Sequence, residues 1–281
     1  MEDIVLFDSS PIIKGTILHR PSKNIKSPYV ADVILEDGTE ILAHCPSLGC
    51  CGLSNSGSTI YLTKNNGTNT KTSHRVDLAI YQETNHNISY KEIIGLNPKI
   101  SEKIGFNAIK NNCIQELQNV KLLETEKTFG NSRFDIYGID NEHNEFILEI
   151  KTVPLADYVD CDKKERKNYL DLIEQKMFNE KIAYFPDGYR KNKNEPISPR
   201  ALKHIQELET IVLEGKYKCF LLFIVQRTDV SSFQTSVIDP IYKEAVLKAS
   251  NNGVKIIVLQ VDWNKEDGKA YFYSNNLRII L

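Results

Sequence analysis

The first third of the chain alternates hydrophobic and polar residues over short runs, the period expected of half-buried β-strands. An Asp37-Gly38 pair separates two of the runs and predicts a hairpin, because glycine accepts the positive φ of a tight turn. Several short strands in such a span favour a small barrel or sandwich. The runs cover residues 12–20, 29–35, 40–45 and 58–64.

The middle of the chain changes to a helical period and then returns to strands. Apolar residues over 98–112 recur near helical spacing, with Asn97 placed to cap the helix and Pro98 suited to its first turn. Strands are predicted next at 120–129, 133–139 and 145–153. The pattern predicts a helix packed on an antiparallel meander.

The second half alternates helices with nearly continuous apolar strands. Helices are expected over 198–214 and 239–252, and buried strands over 218–226 and 254–261. This order favours parallel pairing with right-handed crossovers. Before it lies a charged segment, 157–181, which is interpreted as a helical insertion with one apolar stripe. That stripe consists of Tyr169, Leu172, Ile173 and Met177.

Composition narrows the classes of protein that fit. A chain of 281 residues favours two domains, and a net charge of −2 means that nucleic-acid binding must rely on local basic patches. The longest uniformly apolar run, 219–225, is too short to span a bilayer. Six cysteines without metal-ligand spacing and a first segment without basic residues indicate a cytoplasmic protein with reduced thiols.

One stretch carries recognisable chemistry. Glu149 and Lys151 are two residues apart on a predicted strand, so both side chains lie on one face, and a hairpin brings Asp135 beside Glu149. Two carboxylates at a sheet edge suit Mg²⁺ or Mn²⁺, and the carbonyl of Ile150 can add a ligand. A lysine beside the metal can stabilise negative charge during phosphodiester hydrolysis.

The pattern by itself is weak, because a Glu and Lys on a half-exposed strand usually form a surface ion pair. Its context strengthens it. A helix precedes the hairpin and parallel strand–helix units follow it, the order found in the core of PD-(D/E)XK nucleases.

Beyond this core, the chain resembles the sugar fermentation stimulation protein (SfsA) family over residues 12–265. Motifs recur in the family's order: Ala31-Asp32-Val33, His44-Cys45-Pro46 with Gly49, Ser132-Arg133-Phe134-Asp135, Glu149-Ile150-Lys151-Thr152-Val153, Tyr184-Phe185-Pro186-Asp187, Lys203-His204-Ile205-Gln206-Glu207-Leu208, Val225-Gln226-Arg227 and Ile238-Asp239-Pro240.

The resemblance implies an α/β protein with two parts: an OB-like β-barrel at 1–70, and a PD-(D/E)XK nuclease-like mixed-sheet domain at 71–281. The implied catalytic residues are Asp135, Glu149 and Lys151. Family members are described as DNA-binding proteins associated with sugar-catabolism genes. A non-catalytic transcriptional regulator on the same fold therefore remains an alternative, as does a partner-binding module without nucleic acid. A homo-oligomer is also left open.

Basic residues mark the predicted DNA contacts. The 14–28 stretch carries no acidic residue. Region 183–204 has two acidic residues and five basic ones, and the basic ones include Arg190, Lys191 and Lys193. A solvated face is the alternative explanation for each. The predicted DNA-binding residues are Lys14, Arg20, Lys23, Lys26, Arg133, Arg200, Lys203 and His204.

The chain departs from the family's pattern in the helix before the hairpin. Family members often carry a Glu late in this helix, and the matching position here is Asn107. Glu102 lies more than a turn away and is expected to be a poor substitute. On this prediction the site lacks one acidic ligand.

Overall fold

Three β-sheets form within the residues that the structure, a computed structural model, describes. These are residues 3–281 apart from 48–49, 51, 68–69, 86–87, 131, 163 and 187–194. The strands are β1 (Val5–Asp8), β2 (Ile13–His19), β3 (Val30–Leu35), β4 (Glu40–His44), β5 (Thr59–Lys64), β6 (His74–Asn85), β7 (Ile88–Gly95), β8 (Leu122–Phe129), β9 (Ser132–Ile139), β10 (Glu145–Val153), β11 (Ala156–Asp157), β12 (Lys181–Phe185), β13 (Lys218–Val225), β14 (Val230–Thr235), β15 (Lys255–Asp262), β16 (Lys269–Ser274) and β17 (Arg278–Ile280). The α-helices are α1 (Pro98–Lys110), α2 (Leu170–Glu174), α3 (Pro199–Leu213) and α4 (Pro240–Asn251).

Side-chain caps fix where the three long helices begin, as the sequence predicts. The cap residues Asn97, Ser198 and Asp239 each accept a hydrogen bond from a backbone N–H of the first turn, and each is followed by a proline. Proline suits this place because the first N–H groups of a helix have no partner within the helix.

The N-terminal sheet runs in the order β4-β3-β2-β5-β6-β7. Strand β4 also pairs in parallel with β6, through Ala43–His74 and His44–Arg75, so five strands are joined in a ring of ladders. The sheet continues to Gly95, well past the predicted boundary at residue 70. That boundary is corrected because β6 and β7, after residue 70, hydrogen-bond to strands before it.

The central seven-stranded sheet has the order β1-β16-β15-β13-β10-β9-β8. Strands β13 and β15 are parallel, as predicted, and β10 is parallel to β13 as well. Strands β8, β9 and β10 form the predicted antiparallel meander. The first strand of the chain, β1, pairs with β16 here, so residues 5–8 belong to this sheet and not to the N-terminal one.

Strand β10 separates two hydrophobic clusters. Phe146, Leu148 and Ile150 pack with α1 on one face, whereas Ile147 packs with α3 and α4 on the other. Helix α1 approaches closely at Gly105, where a Cβ atom would lie 2.6 Å from the Ile150 side chain. Glu149 and Lys151 share the face of Ile147, in agreement with the strand periodicity.

The charged segment 157–181 is not one amphipathic helix. It consists of two short 3₁₀ turns, Arg166–Tyr169 and Phe178–Glu180, and the five-residue α2 between them. Of the predicted apolar stripe only Ile173 is buried; Tyr169, Leu172 and Met177 are exposed. The prediction fails because the segment has too few buried partners to stabilise a longer helix. The segment ends on β12, which belongs to a third sheet of order β11-β12-β14-β17.

A buried ionic network joins the N-terminal sheet to the rest of the chain. The Lys181 ammonium lies 2.5 Å from a Glu83 oxygen of β6 and 2.9 Å from one of Asp229. Asp229 also accepts two hydrogen bonds from the buried guanidinium of Arg227, and Glu92 of β7 accepts from the Thr228 amide. Four aromatic rings surround the Lys181 ammonium: Tyr81, Tyr90, Tyr158 and Phe178.

This network predicts a large cost for removing its shared carboxylate. Asp229→Ala should lower the free energy of unfolding by about 3–5 kcal/mol, because it leaves the Arg227 guanidinium buried without a counter-charge. The matched control is Asp3→Ala, which breaks an exposed ion pair with Lys265 and should leave stability unchanged. Urea denaturation measures both variants. Equal effects of the two substitutions would contradict the prediction.

Candidate metal and phosphate site

The β9–β10 hairpin brings Asp135 and Glu149 together. Its ladder ends at the Leu148–Ile136 pair, so the next pair in register is Glu149 with Asp135. At that point the Ile150 amide donates to a carboxylate oxygen of Asp135, at 2.7 Å. In an extended strand the N–H and C=O of a residue point to the same side, so the Ile150 carbonyl is also directed toward this edge.

Glu149 is a buried carboxylate with unequal oxygens. Oε1 accepts hydrogen bonds from the Lys151 ammonium and from Nδ1 of His204. Oε2 is buried and has no hydrogen-bond partner among the described residues. Burial disfavours the charged form, but the two donors outweigh it and lower the pKa of Glu149. The carboxylate is therefore ionised, with one oxygen unsatisfied.

The pKa of Asp135 is shifted in the opposite direction to that of Glu149. Burial, followed by the nearby charge of Glu149, raises the pKa of Asp135 to about 7. The hydrogen bond from the Ile150 amide and the charge of Lys151 lower this pKa, but their effect is smaller. Two carboxylates that approach each other cannot both ionise at no cost. A cation between them would remove that cost.

Glu102, which the sequence analysis expects to be a poor substitute for the missing Glu, lines the same cleft. The cleft encloses about 310 Å³, and Glu102 on α1 borders it together with Asp135, Glu149, Ile150 and Lys151. Asn107 does not border it; its side chain donates to the Leu6 carbonyl of β1 at 2.7 Å. Glu102 thus places a carboxylate at the edge of the cleft, but it is not grouped with Asp135 and Glu149 as a third metal ligand among the described residues.

The position of Glu102 beside the apolar face of helix α1 is the sequence feature that could have placed it near the cleft. Helix α1 packs on the sheet through a stripe that includes Ser101, Ile104, Gly105 and Ala108. Glu102 adjoins this stripe, on the turn nearest the end of β10, where Thr152 donates to the Ser101 hydroxyl at 2.8 Å.

A second, basic cleft adjoins the acidic one. It encloses about 460 Å³ and is bordered by Arg133, Arg200, Lys203 and His204. Arg200, in the first turn of α3, borders both clefts. Three of the predicted DNA-binding side chains, those of Arg133, Arg200 and Lys203, are exposed here.

The fourth predicted DNA-binding residue of this region, His204, has a different place. Its side chain is only 6% exposed, and its Nδ1 contacts Glu149. Glu207 lies 3.7 Å from Lys203. His204 therefore borders the basic cleft as a buried residue that is hydrogen-bonded to Glu149. Arg190, Lys191 and Lys193 lie outside the described residues.

The basic residues predicted on the N-terminal sheet divide into two groups. Lys14, Lys23 and Lys26 are exposed, and Lys14 pairs with Glu36 at 3.1 Å. Arg20 is instead committed to the fold: its guanidinium donates to the carbonyls of Pro28 and Ser47, at 2.8 and 2.6 Å, and to Ser54. Arg20 thus connects three loops, and its role as a DNA contact stays a prediction.

The donor set suits a hard cation held by few protein ligands. Among the described residues no group of three or more His, Cys, Asp or Glu side chains is arranged to hold a metal ion. Two carboxylates and a carbonyl, with waters completing the shell, are typical of Mg²⁺. The buried, unpartnered Oε2 of Glu149 fits such an ion, because a cation supplies the missing partner.

Taken together, fold and site define a mixed α/β protein of several sheets, with an acidic, lysine-containing cleft beside a basic one. The chain belongs to the sugar fermentation stimulation protein family, whose "Sugar fermentation stimulation protein RE domain" model matches residues 99–267. No helix in the described ranges is long and apolar enough to cross a membrane.

Relatives match along nearly the whole chain. A sugar fermentation stimulation protein homolog of Alteromonas mediterranea is 29% identical over 89% of this chain and 90% of its own. The homolog of Pelagibacter ubique is also 29% identical, over 92% of this chain and 93% of its own. The solved structure of Pyrococcus furiosus SfsA in complex with Ca²⁺ superposes with a TM-score of 0.73 at 19% identity, covering 99% of this chain and 100% of that one.

The raised pKa of Asp135 predicts a pH-dependent stability difference. The folded protein holds this proton to about pH 7, whereas the unfolded chain releases it near 3.8, so stability falls as pH rises between these values. Asp135→Asn removes the effect. Relative to wild type, the free energy of unfolding of the variant should increase by about 3 kcal/mol between pH 5 and pH 8.

Urea denaturation without divalent ions measures this difference at the two pH values. A stability difference that does not change with pH would contradict the assigned environment of Asp135.

Proposed function

We propose that this protein binds DNA and hydrolyses phosphodiester bonds with Mg²⁺ or Mn²⁺, as a cytoplasmic nuclease of PD-(D/E)XK type. The observation that carries the proposal is the cleft in which Asp135, Glu149 and Lys151 meet, directly beside a basic cleft. Acidic ligands for a metal and basic contacts for phosphates are the two things that this reaction needs.

Asp135, Glu149 and the Ile150 carbonyl would hold the metal, and Glu102 borders the same space. The unsatisfied Oε2 of Glu149 supports this assignment. The related Pyrococcus furiosus protein was solved in complex with Ca²⁺, which supports a divalent ion in the family. Ca²⁺ and Mg²⁺ both prefer oxygen ligands.

A bound Mg²⁺ would polarise the scissile phosphate and lower the pKa of a water for in-line attack. The protein side chains do the rest. Lys151 holds three N–H donors beside Glu149 and can present them to the non-bridging phosphate oxygens as negative charge develops. Arg200 borders both clefts and can hold the adjacent phosphate of the strand.

The N-terminal sheet would supply a second DNA surface. Its five-strand ring supports an OB-like barrel, a fold that binds nucleic-acid strands through sheet and loops. Ser47, in the loop after β4, borders the acidic cleft, so the barrel reaches the proposed active site. The exposed Lys14, Lys23 and Lys26 extend the basic surface.

A second candidate function is a non-catalytic DNA-binding regulator of sugar catabolism. One observation favours it: Lys151 already pairs with Glu149, and His204 is hydrogen-bonded to the same oxygen, as in a purely structural site. Both candidate functions use the basic cleft to bind DNA. Cleavage of DNA in the presence of a divalent ion distinguishes the nuclease from the regulator.

The first test is metal-dependent cleavage of linear, circular and single-stranded DNA. Lys151→Ala should reduce cleavage by about 10²-fold or more, because it removes charge stabilisation in the transition state. Metal and DNA binding should remain, since a protonated lysine cannot be a metal ligand. Glu149→Gln should instead weaken metal binding, measured by calorimetry, because it neutralises one of the carboxylate ligands.

Lys216→Ala is the matched control, an exposed lysine just beyond the far end of α3. It should cleave like the wild type. If Lys151→Ala also cleaves like the wild type, the active site lies elsewhere. If the wild type cleaves no DNA form with Mg²⁺ or Mn²⁺ but binds DNA, the regulator is the better assignment.

Phosphate contacts also predict the salt dependence of DNA binding. Affinity for a short duplex should fall steeply between about 50 and 200 mM salt. Arg200→Ala should weaken binding at all sequences and reduce the slope of log affinity against log salt by about 1. Lys216→Ala should change neither quantity. Fluorescence anisotropy in EDTA measures both; an unchanged slope for Arg200→Ala would exclude that contact.

A further inference from the structure

His204 connects helix α3 to the carboxylate of the proposed metal site. Its Nδ1 is hydrogen-bonded to Oε1 of Glu149, fifty-five positions away in sequence, and both side chains are almost fully buried. A carboxylate that holds a cation has only acceptor oxygens, so Nδ1 of His204 is the donor in this bond.

The surroundings hold the imidazole in one orientation. His204 lies on the buried face of α3, with Ala201, Ile205 and Leu208, and that face packs against the sheet. The Phe134 ring of β9 lies against the imidazole, with centroids 5.9 Å apart. A histidine fixed by a helix and by an aromatic neighbour is a rigid donor.

The two donors on Glu149 differ in how they can act. Lys151 sits on a flexible stem and is the group proposed to serve the phosphate, so it must be able to leave Oε1. His204 has no such freedom. Its bond alone can keep Oε1 occupied and the carboxylate plane fixed, which leaves the unpartnered Oε2 for a cation.

We propose that His204 is the positioning residue of the metal site, which orients Glu149 through Nδ1 so that Oε2 is available to a divalent ion. This inference rests on the proposed metal function and adds a residue outside the Asp–Glu–Lys set. Residues that orient a ligand in this way typically change metal affinity by about 10–100-fold when replaced.

The test compares two amides at the same position. His204→Asn places an N–H close to the position of Nδ1 and should retain the bond, whereas His204→Gln extends beyond it. Mn²⁺ binding to the full-length protein, without DNA, is measured by calorimetry. We expect His204→Asn to bind within about 3-fold of wild type and His204→Gln to bind at least about 10-fold more weakly. Thermal unfolding monitors the fold of both variants.

The outcomes separate the two proposals. Equal Mn²⁺ affinity of wild type, His204→Asn and His204→Gln would overturn the positioning role and leave the metal site standing. Equal weakening in both variants, with equal loss of thermal stability, would assign His204 a packing role and also overturn it. A wild type that binds no Mn²⁺ would overturn both the metal function and this inference. Lys216→Ala, an exposed lysine just beyond the end of α3, is the control and should bind Mn²⁺ like the wild type.

Discussion

A carboxylate buried on the central sheet imposes the main constraint on this structure. Glu149 lies on β10, the strand that joins the antiparallel meander to the parallel half of the sheet. An ionised group there is costly unless positive charge and hydrogen-bond donors surround it. Lys151 supplies one donor from the same strand and His204 a second from α3. The pairing accounts for how β9, β10 and α3 are arranged around one cleft.

The same constraint explains the charge gradient across the site. The acidic cleft is bordered by Asp135, Glu149 and Glu102, and the basic one by Arg133, Arg200 and Lys203. Helix α3 contributes to both, because Arg200 borders the two clefts while Lys203 borders the basic one. A chain with a net charge of −2 can therefore present a local basic surface where phosphates would approach.

A second buried network fixes the N-terminal sheet to the rest of the chain. Lys181, Arg227 and Asp229 form ion pairs within the larger part and meet Glu83 and Glu92 of the N-terminal sheet. Buried ion pairs contribute little net stability but are costly to break. The network therefore specifies one relative position of the two parts, and that position brings Ser47 to the acidic cleft.

Local pattern in the sequence determined the helices α1, α3 and α4, the meander β8–β10 and the shared face of Glu149 and Lys151, because caps and periodicity act over a few residues. The local pattern did not determine which distant segments these helices and strands contact. The pairing of β1 with β16, the place of Glu102, the inward turn of His204 and the use of Arg20 within the fold depend on contacts between distant segments. Only the tertiary structure decides these, since burial and hydrogen-bond satisfaction are properties of the assembled chain.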